Sequence, residues 1–414
     1  MKKKILVIPY SRTLSHLSRP LEIAKELRKN NYELIFATDK DSNKNKFIIE
    51  EDFNRIDLFE PDADILFNNI RKGKIKFAAH DLIEYMIKKE CELFQEIKPD
   101  LILTDGRFTA PISAQICNIK HSAIVNASST AYRSIPYMPI ISDTAFKKIN
   151  RFNPRFSSLI CSANLFFEKK IFDNLMHSFI TFSNQFKISK KVTATNCLTG
   201  ADMTLLADIP EYFPTKNLPD NYHYIGPITW KTKKKKTPDW WPVKPHINQK
   251  VIYVTMGTTG DIDFFPIVYD LLKTSNMISI ITTGAQIENF ESNCNNIHIE
   301  SYLDGEEIIN VSDVTVCHGG NGTIYQSLNQ GKPIIGIPTL PDQEFNMRRV
   351  EELGVGKKIS IDAFFKNPKI LLDTIHSIIS NPVFYKNANI LKKRLKTYSP
   401  AKKASDLIKK SFES

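Results

Sequence analysis

The sequence predicts an α/β protein built from two doubly wound parallel sheets. Short, continuously apolar runs recur along its 414 residues, as strands buried on both faces require. Segments at helical spacing alternate with them, which implies parallel sheets with helices on both faces. A proline- and lysine-rich stretch divides two such series. The length suits two or three domains at about 150 residues each.

In the first series, Ile5–Tyr10 reads as the opening strand. The preceding Lys2-Lys3-Lys4 imitates a signal peptide, but the apolar stretch is too short and no small-residue cleavage site follows. A cytoplasmic location is expected. Leu14–Ser18 reads as polar loop, and Pro20 as a first-turn residue of a helix carried by Leu21, Ala24 and Leu27. Then come a strand at Tyr32–Ala37, a helix at Asp81–Ile97, a strand at Leu101–Thr104, a helix from Thr109 and a strand at Ser122–Val125. Residues 130–200 lose any clear period. Their aromatics (Tyr132, Tyr137, Phe146, Phe152, Phe156, Phe166, Phe167, Phe172) suit either core or an apolar pocket. Asp202–Ala207 closes the series.

Residues 209–250 carry seven prolines, the run Lys233–Lys236 and Trp230, Trp240 and Trp241. Proline blocks helix and central strand, so this reads as a connector. A second series follows, with strands at Val251–Thr255, Ile278–Thr282, Ile297–Glu300, Val314–Cys317 and Ile334–Ile337. The expected division is 1–215, a linker over 216–248, 249–395, and a helix over 396–414 that can return to the first domain. Ligands of such sheets sit beyond the carboxyl ends of the strands, here in the cleft between the halves.

Composition excludes several classes. Hydrophobic residues at 42% and charged residues at 24% are ordinary globular values. No run approaches the ~18 apolar residues of a membrane helix. Six cysteines lie far apart with no C-x-x-C pair, so neither zinc nor a disulfide framework is expected. The net charge of +11 reads as solvated lysine, or as attraction to an anionic ligand or a membrane surface. The densest runs are Lys233–Lys236 and the C-terminal cluster Lys392, Lys393, Arg394, Lys396, Lys402 and Lys403, and such basic patches would suit peripheral membrane contact. No nucleic-acid-binding module accompanies the charge.

The most informative stretch is Cys317-His-Gly-Gly-Asn-Gly-Thr-Ile-Tyr-Gln326. It follows a predicted strand and opens a predicted helix. Gly319, Gly320 and Gly322 allow close backbone approach, and a helix N-terminus favours phosphate. His318 adds a hydrogen-bond donor and Thr323 a hydroxyl. A second loop, Gly257 and Thr258, could cradle the same phosphates. Downstream, Asp342 and Gln343 lie between a strand end and a helix, where a carboxylate and an amide suit sugar hydroxyls. The alternative for Asp342 is a helix N-cap with nothing bound.

His318 to Gly354, written H-G-G-N-G-T…G-K-P-I-I-G-I-P…D-Q…N…R-V-E-E-L-G, resembles the donor-sugar signature of family-one, UDP-glycosyltransferase-like enzymes. These include bacterial macrolide and natural-product glycosyltransferases and the UDP-glucuronosyltransferases. Leu14-Ser-His16, Leu101–Asp105 and Ile225-Gly-Pro227 are similar to the family's other landmarks. The resemblance implies the GT-B fold, two facing Rossmann-like doubly wound domains with acceptor bound mainly by the first and nucleotide-sugar by the second. It implies that His318, Gly320, Gly322 and Thr323, with Asn321 among them, hold the diphosphate. Asp342 and Gln343 would hold the sugar. Tyr302 would stack on the base, and Leu303 would contact it by its backbone. Gln326 stands where many members have a ribose-binding Glu, and Asp304 where a Pro is common.

The implied activity is inverting transfer of a hexose from a UDP- or dTDP-sugar to a hydroxyl of a small apolar acceptor, a natural product or lipid. Charge develops on the leaving diphosphate, and the acceptor must lose a proton. His16 is the candidate general base. Asp105, at a strand end, would orient it; Asp100, at the strand's start, lies at the wrong edge. The alternatives are a solvent-exposed loop histidine and a loop-capping aspartate. Asp62-Ala-Asp64 and Asp261-Ile-Asp263 are outside the context of a metal site, and the helix with His318 would supply positive charge. No metal and no cofactor is expected. Two other readings stand: a nucleotide-sugar epimerase or lipid-sugar transferase of the same fold, and a non-catalytic nucleotide-sugar-binding protein.

Overall fold

The computed structural model describes residues 2–62, 76–137, 154–229, 238–243, 245–257, 261–284, 286–287 and 290–413, with no account of side chains 154–158. The chain forms two compact units, Met1–Ile228 with Ser399–Ser414, and Thr229–Tyr398.

In the first unit the described strands make one parallel sheet. The core strands are β1 (Lys4–Pro9), β2 (Glu33–Thr38), β4 (Leu101–Asp105), β5 (Lys120–Val125) and β6 (Met203–Leu206). Two short edge strands, β3 (Asn54–Asp57) and β7 (Tyr222–Tyr224), complete the order β3-β2-β1-β4-β5-β6-β7. Leu6, Ile8, Ala37 and Ile102 are buried with Phe94 and Ala114 in one core cluster. Tyr10, Ile83, Met86, Phe108 and Phe179 form another. The proline-rich stretch is therefore not all connector. Tyr222–Tyr224 pairs with β6, and the Tyr224 hydroxyl donates to the Phe213 carbonyl at 2.5 Å. Residues 130–200, read as irregular, hold helices Pro154–Leu175 and Ser178–Gln185. Of their aromatics, Phe166 and Phe167 are exposed and Tyr132 stands edge-on to Tyr222. Phe146, Phe152, Trp230, Lys233–Lys236 and Asp64 lie outside the described residues.

The helix after β1 corrects the reading of 14–18 as loop. It spans Leu14–Arg28, so Pro20 sits in its interior. Leu17, Leu21, Ala24 and Leu27 are buried at helical spacing, and that packing outweighs the local cost of proline. The N–H that Pro20 lacks is the one that would have bonded the His16 carbonyl.

The helix Pro400–Glu413 packs against Leu14–Arg28. Ala404, Ser405 and Ile408 are buried. Asn30 donates to the Ser405 hydroxyl at 3.2 Å, Lys403 donates to the Tyr224 carbonyl at 2.6 Å, and the Tyr32 and Phe412 rings lie 5.4 Å apart. Among the described residues no helix is long and apolar enough to cross a membrane.

The second unit repeats the plan. Its parallel sheet runs β10 (Ile297–Glu300), β9 (Ile278–Thr282), β8 (Val251–Thr255), β11 (Val314–Cys317), β12 (Ile334–Gly336), β13 (Gly356–Lys358). Ile252, Val254, Val316 and Ile335 pack with Phe264, Phe265 and Phe364 in its core. Trp240 belongs to this unit: its ring stacks on His298 at 4.4 Å and its Nε1 donates to Glu300.

Both sheets reverse strand order at one place, between β1 and β4 and between β8 and β11. There the flanking connections go to opposite faces and leave a crevice at the carboxyl ends.

Candidate active site

In the first unit that switch point carries a polar cluster. β1 and β4 pair with Pro9 beside Asp105, and the Tyr10 N–H donates to the Asp105 carbonyl at 2.8 Å. His16 lies in the first turn of Leu14–Arg28 and brings Nδ1 to 2.6 Å from Asp105 Oδ1. The carboxylate is fully buried, whereas the imidazole is 34% exposed.

Gly106 makes this approach feasible. Its φ is +78°, and a Cβ there would fall 3.1 Å from His16 Cγ. Only glycine combines that conformation with that closeness. Asp100 lies at the opposite edge, held by the Lys3 ammonium and the Lys4 N–H, both at 2.8 Å.

One residue of the cluster had no signal in the sequence. Arg19 donates from Nε to Asp105 Oδ2 at 2.7 Å and from Nη2 to Oδ1 at 2.6 Å. Its Nη1 donates to Asn126 Oδ1 at 2.5 Å, just beyond β5. Nη2 also lies 3.1 Å from His16 Nδ1. Arginine only donates and an ionised carboxylate only accepts, so Nδ1 cannot satisfy both. The shorter, charge-assisted contact wins: Nδ1–H donates to Asp105. This tautomer leaves the lone pair on Nε2, which makes no hydrogen bond among the described residues.

Two buried carboxylates brace the surroundings. Glu90 accepts from Arg107 Nε at 2.5 Å and from the hydroxyls of Thr109 and Ser113. Glu60 accepts from the Ser11 N–H at 2.9 Å and the Ser11 hydroxyl at 3.0 Å. Burial pushes the Glu60 carboxyl up to about 7, with Arg107 opposing. A folded-state value above the unfolded one means the native state holds the extra proton between the two. Stability is then greatest at low pH and falls as pH rises from about 4.5 to about 7, by on the order of 3 kcal/mol. His121 titrates oppositely. Burial lowers it to about 4, so its contribution is lost as pH falls from about 6.5 to 4. The prediction is differential: Glu60→Gln gains stability relative to wild type between pH 5 and pH 8 in denaturant melts. A constant difference would refute the titration.

In the second unit the switch point is flanked by Thr255 and Cys317, which pair in register. Gly257 follows one and His318 the other. The His318 ring is closely confined: a Cβ on Gly257 would meet Cε1 at 2.6 Å, and one on Gly320 would meet Nε2 at 2.5 Å. Gln286, not anticipated, donates to the Gly257 carbonyl at 2.7 Å. Thr258 lies outside the described residues. His318 is 7% exposed and burial lowers it to about 4. It is a neutral imidazole at neutral pH, which corrects the expectation that it supplies positive charge.

Helix Asn321–Gln330 begins at Gly320 with no side-chain cap. Its first N–H groups have no intrahelical acceptor. Beside them, His318 Nδ1 and both polar atoms of the Asn321 side chain are buried without a hydrogen-bond partner. Gly322 is exposed and Thr323 half-buried on the first turn. Buried orphaned groups beside a helix N-terminus are what an anion would satisfy. Asn346 donates to the Gly319 carbonyl at 2.9 Å and ties helix Pro341–Glu352 to the loop.

The remaining residues divide. Asp342 is exposed in the first turn of Pro341–Glu352; the N-cap is Leu340. Gln343 is buried, and its Oε1 accepts from the Thr339 N–H at 2.9 Å, the Thr339 hydroxyl at 3.1 Å and the Leu340 N–H at 3.1 Å. Its Oε1 is thereby committed to the turn that precedes the helix. The Gln326 amide lies against Gly305, whose Cβ would meet Oε1 at 2.9 Å. Tyr302 is half-buried, and Leu303 packs with Trp240 and Trp241 on Val251 and Tyr253. Asp304 caps helix Gly305–Val311 by accepting from the N–H groups of Glu306 and Glu307.

Residues 251–408 match the glycosyltransferase family 28 C-terminal domain. A PGL/p-HBAD biosynthesis glycosyltransferase of Mycobacterium tuberculosis (strain ATCC 25177 / H37Ra) is 29% identical over 366 residues, 86% of this chain and 80% of that protein. A PGL/p-HBAD biosynthesis rhamnosyltransferase of Mycobacterium bovis (strain BCG / Pasteur 1173P2) is 29% identical over 364 residues, 86% of this chain and 76% of that one. The crystal structure of the glycotransferase of kitacinnamycin superposes with a TM-score of 0.71 at 18% identity, covering 99% of both chains. A Streptomyces sp. SF2575 glycosyltransferase complexed with thymidine diphosphate gives 0.68 at 15% identity, again over 99% of both. The chain is therefore a glycosyltransferase of the GT-B fold, and its glycine motif resembles that of the family-one-like enzymes.

Proposed function

We propose that this glycosyltransferase moves a hexose, with inversion, from a nucleoside-diphosphate sugar to a hydroxyl of a small apolar acceptor such as a natural product or lipid. The observation that carries the reading is the buried Asp105 carboxylate 2.6 Å from Nδ1 of a partly exposed His16. That pairing suits a general base: Asp105 fixes the tautomer, and Nε2 takes the acceptor proton. The imidazolium that forms is stabilised by the same carboxylate. The hydroxyl oxygen, freed of its proton, attacks the anomeric carbon as the bond to the diphosphate breaks.

The second unit supplies the donor site in this reading. N–H groups of helix Asn321–Gln330, the Asn321 side chain and His318 receive the diphosphate, assisted by Gly257, Thr258, Gly320, Gly322 and Thr323. Neutral His318 acts as a hydrogen-bond donor, and the helix terminus offers partial positive charge. Tyr302 and Leu303 meet the base, Gln326 the ribose, Asp342 and Gln343 the sugar. A deoxyhexose of the rhamnose type on thymidine diphosphate is favoured by the names of the rhamnosyltransferase relative and of the thymidine-diphosphate complex. No metal is required. The work is placed in the cytoplasm, and the exposed Lys402, Lys403, Lys409 and Lys410 suit contact with an anionic membrane surface where the acceptor is a lipid.

The experiment supplies purified protein with UDP- and dTDP-sugars, including dTDP-rhamnose, and a panel of apolar alcohols and phenols. A glycoside of anomeric configuration opposite to the donor is expected, at a rate unchanged by EDTA. Epimerised nucleotide-sugar without glycoside, or retained configuration, would overturn the reading, and loss of activity in EDTA would overturn metal independence.

A further inference from the structure

We propose that Arg19 is a positioning residue for the transfer reaction, one that locks the Asp105 carboxylate and offsets its charge beside His16. The proposal rests on His16 being the base.

The geometry has two parts. Arg19 binds both oxygens of Asp105, at 2.7 and 2.6 Å, and its third nitrogen is fixed by Asn126 at 2.5 Å. The planar guanidinium matches a carboxylate in a fork, which sets the carboxylate plane as well as its place. Arg19 therefore joins three strand ends: β1 through the helix that follows it, β4 through Asp105, and β5 through Asn126. The second part is charge. Without Arg19 the imidazole would face an uncompensated, fully buried carboxylate 2.6 Å away. Such a partner favours imidazolium, typically by one or more pH units. A histidine held protonated cannot take a proton from an alcohol. Arg19 shares the same oxygen and offsets that bias.

Among the described residues, the charged side chains on the flanking segments have partners of their own. Tyr10, at the end of β1, stands edge-on to the imidazole with ring centroids 6.4 Å apart. Arg12 pairs with Asp39 at 3.0 Å, Glu60 is bonded to Ser11, and Arg107, beyond Gly106, is bonded to Glu90. In the cluster bonded to His16, Arg19 is the cation beside Asp105.

The test is the pH profile of kcat/KM for Arg19→Met against wild type, with acceptor varied at saturating donor. The acid limb is expected to move to higher pH by about one unit, with kcat at the plateau reduced and nucleotide binding unchanged. A purely structural role would lower activity at every pH and leave the limb in place. Arg19→Lys keeps one charge but cannot bond both oxygens; it is read if the methionine variant does not fold, and a smaller displacement in the same direction is expected. Acid limbs of folded variants that coincide with wild type would overturn the proposal. If His16→Ala keeps wild-type turnover, the base assignment fails instead, and this proposal falls with it; an inactive His16→Ala beside an unmoved Arg19 limb defeats the role of Arg19 alone.

Discussion

His16→Ala lowers turnover by about 100- to 10,000-fold, the range removed with a positioned general base. The alanine deletes Nε2, which carries the lone pair in the tautomer set by Asp105 at 2.6 Å. It leaves the Asp105–Arg19 pair intact, with both bonds at or below 2.7 Å, so no buried charge is orphaned. The imidazole is 34% exposed, and little packing is lost. Folding should thus survive, and a nucleoside diphosphate should raise the melting temperature of the variant as it does that of wild type. Turnover within threefold of wild type would refute the base assignment. Loss of both turnover and nucleotide-dependent stabilisation would show damage beyond the proton transfer. Residual activity is expected from the proposed diphosphate site, which would act on the leaving group whether or not the base is present.

The largest effect on stability belongs to a residue outside the reaction. Glu90→Ala is expected to cost about 3–5 kcal/mol, as removal of one member of a buried ion pair does. Glu90 is fully buried and Arg107 nearly so. Alanine would strand the guanidinium charge, leave Arg107 Nε and the Thr109 hydroxyl without an acceptor, and leave the Ser113 hydroxyl only the Thr109 carbonyl at 3.3 Å. Arg107 also donates to the Phe59 carbonyl at 2.8 Å and directly follows the Asp105-Gly106 pair. Loss of Glu90 should therefore disturb the β4 turn and reduce kcat as a secondary effect. Urea unfolding measures it, with the transition of the first unit moving and that of the second staying. Replacing Glu90 and Arg107 together with apolar residues should recover much of the loss, because the cost lies mainly in stranding one charge. A shift equivalent to under about 1 kcal/mol for Glu90→Ala would contradict this account.

What the sequence made legible follows from burial. Strands such as Val251–Thr255 are buried at every position and read as unbroken apolar runs. Three of the four edge strands, Asn54–Asp57, Tyr222–Tyr224 and Gly356–Lys358, are short and lack an apolar run, and nothing local marks them. The start of Leu14–Arg28 was masked by Pro20, whose cost is local while the compensating contacts of Leu17 and Leu21 are tertiary. The glycine motif placed His318 after a strand and Asn321 on a helix. Sequence could not show that burial would keep His318 neutral or that both polar atoms of Asn321 would lack partners. Arg19 carried no signal in the sequence, because the carboxylate that defines it is 86 residues away.

The first unit is assembled from two stretches of chain separated by the second. Residues 399–413 cover Leu14–Arg28, the helix that carries His16 and Arg19. During synthesis on the ribosome the second unit can finish as soon as its own residues emerge, since they are continuous. The earlier-made unit must wait with that helix uncovered until residues 399–413 emerge. Maturation of this unit thus runs against the usual N-to-C order, and the helix that carries His16 waits longest for its full packing.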